Sequence, residues 1–147
     1  MFLNMKNQPN LGLRPSALQV RLVQTAIIAS RQLSEDTFVL TVNRNGMVFQ
    51  PGQRVRINLK GDSVHRKYSI YSGTDEENLE FLIREVPHGY LTPQLKPLQV
   101  GDEVEIVGAN GQFVLDKELW PSLRFLFIAT GTGIAPFHSM VRSLPGL

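Results

Sequence analysis

The sequence predicts a mostly-β protein: a six-stranded antiparallel barrel with one short helix, followed by the first βα unit of an incomplete α/β domain. Three observations carry this. Short alternating or β-branched segments, punctuated by Asn-Gly, Pro-Gly and Gly-Asp turns, recur between residues 18 and 107, which is the pattern of an antiparallel barrel. Thr92-Pro93 opens the one helical stretch inside that series. Past Pro121 the alternation stops, and residues 123–129 read as a continuous apolar strand that runs through a glycine-rich turn into a helix. Such strands belong to parallel sheets covered on both faces.

Taken in order, residues 1–17 are polar and aperiodic and read as a loose N-terminal arm. The first strand begins at Leu18, with Val20, Leu22, Gln24 and Ala26 on one face and Arg21, Val23, Thr25 and Ile27 on the other. Residues 37–42 make the second strand, and Asn43-Arg44-Asn45-Gly46 is a turn because Asn and Gly tolerate positive φ. After the Pro51-Gly52 turn, Arg54, Arg56 and Asn58 alternate with Val55, Ile57 and Leu59, the period of a half-buried strand. Residues 67–72 and 79–86 are a strand pair joined by a polar turn, a short helix falls within 92–98, and Gly101-Asp102 leads into the strand 103–107. A last helix is expected over residues 135–143. The chain thus divides into the arm 1–17, a barrel 18–120 and the start of a second unit at 121–147.

Composition excludes several classes of function. The chain has 147 residues, a net charge of +2 and no Lys/Arg run or interleaved aromatic ladder, which argues against nucleic acid while leaving a weak attraction for acidic ligands or small acidic proteins. It has no cysteine, hence no disulfide, thiolate metal site or redox dithiol, so redox chemistry would need a bound cofactor. The three histidines, His65, His88 and His138, are far apart without ligand spacing, and no metal site is expected. The longest apolar run, residues 125–129, is too short to cross a bilayer, and the N-terminus lacks an apolar signal segment, so the expected location is cytoplasmic.

Three segments carry chemistry. Arg66 and Tyr68 of Arg66-Lys67-Tyr68-Ser69 share one face of a strand, offering a guanidinium suited to phosphate and a flat ring suited to a flavin or base. The same residues also fit a strand with an exposed Arg and a core Tyr. Gly89-Tyr90-Leu91-Thr92 precedes Pro93, so Thr92 is expected as an N-cap whose helix N-terminus attracts an anion, with Gly89 allowing close backbone approach. An ordinary capped helix fits this segment equally. Gly131-Thr132-Gly133, between an apolar strand and a helix, has the layout of a nucleotide turn, although Pro136 stands where the last glycine of G-x-G-x-x-G would be.

At these motifs the chain resembles the ferredoxin/flavodoxin–NADP reductase family, in its bacterial type. Arg66-Lys67-Tyr68-Ser69 is similar to the family's R-x-Y-[ST] flavin motif, Gly89-Tyr90-Leu91-Thr92 to its G-x-x-[ST] pyrophosphate motif, and Gly131-Thr132-Gly133-Ile134-Ala135-Pro136-Phe137 to its first nicotinamide-nucleotide motif. The resemblance covers nearly all of the chain after Leu18. It implies a six-stranded antiparallel flavin-binding barrel followed by the first βα unit of an incomplete α/β nucleotide-binding domain. It implies FAD as cofactor and NADP or NAD as hydride donor, with ferredoxin or flavodoxin as partner. By the same resemblance, Arg66 and residues 89–92 would hold the pyrophosphate, Lys67 would belong to the cofactor site, Tyr68 would stack on the isoalloxazine, and Ser69 would sit near its N5. Thr132 would approach the flavin from the second unit, where Gly131, Thr132 and Gly133 begin the nucleotide site. Ser69 and Tyr68 are therefore the expected catalytic residues.

Three readings follow: an FAD-dependent oxidoreductase that passes hydride from NAD(P)H to flavin, a non-catalytic flavin-binding electron-transfer module or subunit needing a separate nucleotide-binding partner, and a barrel that binds no flavin. One strand and one helix cannot enclose a dinucleotide, so turnover by the chain alone is expected to be low. Residues 123–129, lacking sheet neighbours, are expected to drive self-association or an atypical docking of the tail.

Overall fold

The computed structural model describes residues 22–115 and 124–144. The expected arm and the expected boundary at 120–121 lie outside these residues. Six strands form one antiparallel sheet: β1 (Leu22–Gln32), β2 (Thr37–Asn43), β3 (Arg54–Leu59), β4 (His65–Ser69), β5 (Asn78–Arg84) and β6 (Glu103–Asn110), in the order β4-β3-β6-β1-β2-β5. Helix α1 (Thr92–Leu95) lies between β5 and β6, and a 3-10 turn (Gly131–Ile134) leads into α2 (Ala135–Arg142).

β1 serves both halves of the sheet. Its residues Leu22 to Ala26 pair with β6, and those from Ile27 onward pair with β2. The change of partner coincides with a bulge at Ile28, where the register steps from Ile27↔Val42 to Ala29↔Thr41. One extra residue bends a strand and raises its twist, which lets a single strand turn a corner. A second bulge lies between β3 and β6, where Arg54 and Arg56 face Asn110 and Val107. Gly108 occupies it with φ +137, and a Cβ there would lie 3.2 Å from the Val55 Cα.

The two bends curl the sheet around one core. Ile27, Phe38, Leu40, Val42, Val55 and Ile57 meet Leu79, Phe81, Ile83, Val104 and Ile106 inside it, and Leu91 and Leu95 plug one end. The ladder does not close, since β4 and β5 remain edge strands. Their continuation is bridged instead: the Tyr71 N–H donates to the Glu80 carbonyl at 2.8 Å, and the Glu80 N–H to the Ser72 Oγ at 3.1 Å. The expected barrel is thus a curled sheet with a seam that opens at β4 and β5.

Two expectations are corrected. Residues 124–130 form no strand and are exposed, with Leu126 85% and Ile128 79% accessible. A parallel-type strand needs a sheet neighbour, and among the described residues no ladder forms over 124–130; Phe127 stacks on Phe137, with centroids 4.7 Å apart. Residues 67–72 and 79–86, expected as a strand pair, are not laddered to each other: β4 pairs with β3 and β5 with β2, at opposite edges of the sheet.

Candidate functional site

The two sheet edges leave a groove of about 480 Å³ at the open part of the seam. Arg66, Lys67 and Tyr68 line it from β4, Leu82 and Arg84 from β5, and Val86, Gly89, Tyr90, Leu91 and Thr92 from the approach to α1, while Thr132 enters from the 3-10 turn. The three motifs, up to 66 residues apart in the chain, therefore meet in one place through Arg66 and Thr132. Ser69, Gly131 and Gly133 are not among the lining residues. Leu82, Arg84 and Val86 carry no motif; only the pairing of β5 at the far edge brings them in.

The register explains how β4 presents its side chains. Tyr68 is opposite Val55 and Arg66 opposite Ile57, both buried core residues, so they share the inner face. On an edge strand with no further neighbour they overhang the groove. Lys67 and Ser69 are opposite Arg56 and Arg54 on the other face.

Tyr68 is the most informative group. Its hydroxyl is buried and has no hydrogen-bond partner among the described residues, an arrangement that costs about 1–3 kcal/mol. Burial pushes its pKa up to about 12, against a smaller opposing effect of the Arg66 guanidinium. It is thus a neutral donor awaiting an acceptor. Arg66 is exposed and bonded only to the His65 carbonyl, at 2.9 Å, and neither Arg66 nor Lys67 has a carboxylate partner among the described residues. Arg84, by contrast, is held by Asp36 at 2.6 Å. Two cations without a carboxylate partner and a donor without an acceptor, among the described residues, surround one cavity and suit a ligand bearing phosphate and hydroxyl oxygens.

The segment before α1 differs from expectation. Thr92 is not the N-cap: Leu91 holds that position, and no side chain caps the helix. The Thr92 Oγ1 instead accepts the Val86 N–H at 2.9 Å, tying the groove wall to the end of β5. With only four residues, α1 supplies little dipole, and the cationic side chains at this groove come from β4 and β5. Gly89 is needed by the chain itself, since a Cβ there would lie 2.9 Å from the Val86 carbonyl oxygen, to which the Gly89 N–H donates at 2.8 Å. Tyr90 stands at the rim, its hydroxyl donating to Asp62 at 2.6 Å, which lowers the Asp62 pKa and raises that of Tyr90. At Gly131 and Gly133 a Cβ would meet no atom of the described residues within 4 Å.

The fold and this site define a class. The family described as the oxidoreductase FAD-binding domain matches residues 20–115. The flavodoxin/ferredoxin–NADP reductase of Escherichia coli K12 is 40% identical over 109 residues, covering 71% of this chain and 43% of that protein. The toluate 1,2-dioxygenase electron transfer component of Pseudomonas putida is 38% identical over 125 residues, covering 82% and 36%. Among solved structures, ferredoxin–NADP+ reductase from Plasmodium falciparum superposes with a TM-score of 0.73 at 30% identity, covering 82% of this chain and 50% of that one. The chain belongs to the oxidoreductase FAD-binding domain family, of ferredoxin–NADP reductase type. Its cofactor is FAD. It spans half or less of the length of these relatives.

Proposed function

We propose that the chain is the FAD-carrying part of an oxidoreductase that passes hydride from NADPH or NADH to flavin and electrons onward to ferredoxin or flavodoxin. The observation that carries this reading is the convergence of Arg66, Lys67, Tyr68, residues 89–92 and Thr132 on one groove containing a buried, unpaired phenol. The flavin, when bound, supplies the conversion between two-electron and one-electron transfer. The chain's residues bind and orient it. Arg66 meets the pyrophosphate as a bidentate cation, with Lys67 adding charge. Tyr68 presents its ring as a wall and its O–H as a donor. Ser69, directly after it on β4, approaches the reacting edge of the ring. Thr132, with Gly131 and Gly133, begins the nicotinamide-nucleotide site. The resident compartment in this reading is the cytoplasm; no helix among the described residues is long and apolar enough to cross a membrane.

A second reading has the chain as an electron-transfer module or subunit whose nucleotide-binding part is separate. The exposed apolar side chains of residues 125–128 are a surface such a separate part could cover.

The test is flavin binding by the purified chain. FAD is expected to bind more tightly than FMN, since Arg66 is poised for a pyrophosphate that FMN lacks; equal affinities would overturn the reading. Arg66→Ala is expected to weaken FAD roughly tenfold to hundredfold, the worth of a charge-assisted hydrogen bond. Arg66→Lys should recover only part of this, because an ammonium cannot make the forked contact.

A further inference from the structure

The sequence places α2 in the second unit, but the structure builds it into the barrel. Ala135 packs with Val39 and Leu82 on the outer face of β2 and β5. One turn on, the Ser139 Oγ donates to the Ser72 carbonyl at 2.7 Å in a fully buried contact. The Ser143 Oγ accepts the Thr74 N–H at 3.0 Å and donates to the Ser139 carbonyl at 2.7 Å. His138 stacks on Tyr71 with centroids 3.7 Å apart and an interplanar angle of 6°, and its Nδ1 lies 3.0 Å from the Tyr71 carbonyl oxygen. The Arg142 guanidinium pairs with Glu80 at 2.5 Å and with Glu76. Even Gly73 fits this contact, since a Cβ there would lie 2.6 Å from the Arg142 carbonyl oxygen.

The partners of His138, Ser139, Arg142 and, through Thr74, Ser143 lie between Tyr71 and Glu80, the stretch that starts two residues after Ser69 and carries the seam bridge from Tyr71 to Glu80. The other end of α2 continues directly from the 3-10 turn that presents Thr132 to the groove. Neither Ser139 nor Arg142 lines the groove.

We propose that Ser139 and Arg142 are positioning residues for the flavin site: by clasping α2 to the 71–80 connection they hold Thr132 at the groove mouth. This rests on the reading of the groove as the FAD site. The coupling is mechanical. α2 and the 3-10 turn are consecutive, so a helix fixed at its C-terminal end by buried serine bonds and an ion pair carries Thr132 with it. Losing the clasp frees the turn, and the groove loses one wall without losing any residue of its own.

The experiment titrates the full chain with FAD, following flavin fluorescence, for Ser139→Ala, Arg142→Gln and Gly73→Ala, each alone and combined with Thr132→Ala. Ser139→Ala is expected to weaken FAD roughly three- to tenfold, as for loss of one buried hydrogen bond. Arg142→Gln, a partly exposed change that leaves the serine bonds intact, should act in the same direction and keeps the test valid if Ser139→Ala does not fold. In the Thr132→Ala background these losses should largely vanish, as in a coupled double-mutant cycle. Unchanged FAD affinity in the clasp variants would overturn the proposal, and so would equal losses in both backgrounds, because a purely structural role gives additive effects. Arg66→Ala, remote from the clasp, is the control: if that variant also binds FAD normally, the groove is not the flavin site and the positioning role falls with it.

Discussion

At the scale of single residues, the buried phenol of Tyr68 separates the free chain from the loaded one. An unpaired buried hydroxyl penalises the free fold, and removing it is neutral or favourable there. Tyr68→Phe is therefore expected to leave the flavin-free chain as stable as before or more so, while weakening FAD roughly three- to tenfold through loss of the donated bond. Denaturant titration without flavin, beside fluorescence titration with it, checks the two opposite signs; a free chain clearly destabilised by the change would show that the hydroxyl already has a partner. Asp36 makes a pH-dependent contribution. Bonds from the Thr37 hydroxyl, then Arg84, then Ser34, bring its pKa from 3.8 to about 2. A depressed carboxylate contributes stability that is present above its unfolded value and lost as pH falls through its folded one. The unfolding midpoint should thus drop between pH 3.8 and about 2, and Asp36→Asn should flatten that part of the profile. Identical profiles for the two proteins would show that the Asp36–Arg84 contact does not persist in solution.

At the scale of elements, the segment before α1 shows how a hydroxyl expected as a helix cap takes another task. Thr92 sits inside the first turn and accepts the N–H of Val86. Its side chain is thus the joint between the end of β5 and α1, and Leu91 and Leu95 are seated in the core beside it. Thr92→Val keeps the shape but removes the acceptor of the part-buried Val86 N–H bond. That should cost about 0.5–1.5 kcal/mol, seen as a lower denaturation midpoint, while Thr92→Ser should retain most of the stability. Equal midpoints for Val and Ser would mean that the hydroxyl does not tie the elements together. The strands, by contrast, carry their own instructions. Arg54, Arg56 and Asn58 point away from the core because Val55, Ile57 and Leu59 must enter or border it, and the same alternation aims Arg66 and Tyr68 inward at the open edge.

At the scale of the whole molecule, the barrel has a saturated core and the tail does not. Phe125 and Phe127 are at least a third exposed, Leu126 and Ile128 far more. A further apolar depression of about 310 Å³ runs along Phe127, Ala129, Ile134, Phe137, His138 and Val141. Exposed apolar surface of this continuity promotes association. The purified chain is expected to self-associate as its concentration rises, and Leu126→Lys with Ile128→Glu should return it toward a monomer in size-exclusion chromatography with light scattering. A wild-type chain that stays monomeric at high concentration would show that the segment finds cover within its own fold. The α2 clasp, by contrast, gives the end of the described chain cover against the 71–80 connection.

Much of this was legible in the sequence, for reasons that are local. Period-two alternation places strands because side chains of a strand alternate faces, and Asn-Gly and Pro-Gly end them because few residues accept those dihedrals. The β3 bounds, and Arg66, Lys67, Tyr68, residues 89–92 and Thr132 as groove residues, follow from spacing and motif. Other features required the tertiary structure, because they depend on partners distant in the chain. The bulges at Ile28 and Gly108 decide that the sheet curls, and the unclosed seam decides where the groove opens. Leu82, Arg84 and Val86 line the groove only because β5 lies at the far edge of the sheet. Thr92 could cap a helix or bond the Val86 N–H, and only the approach of β5 selects the second. The apolar run at 123–129 has the composition of a buried strand, but a strand exists only where another backbone satisfies its N–H and C=O groups. Composition cannot supply that neighbour, and among the described residues no strand is formed over 124–130.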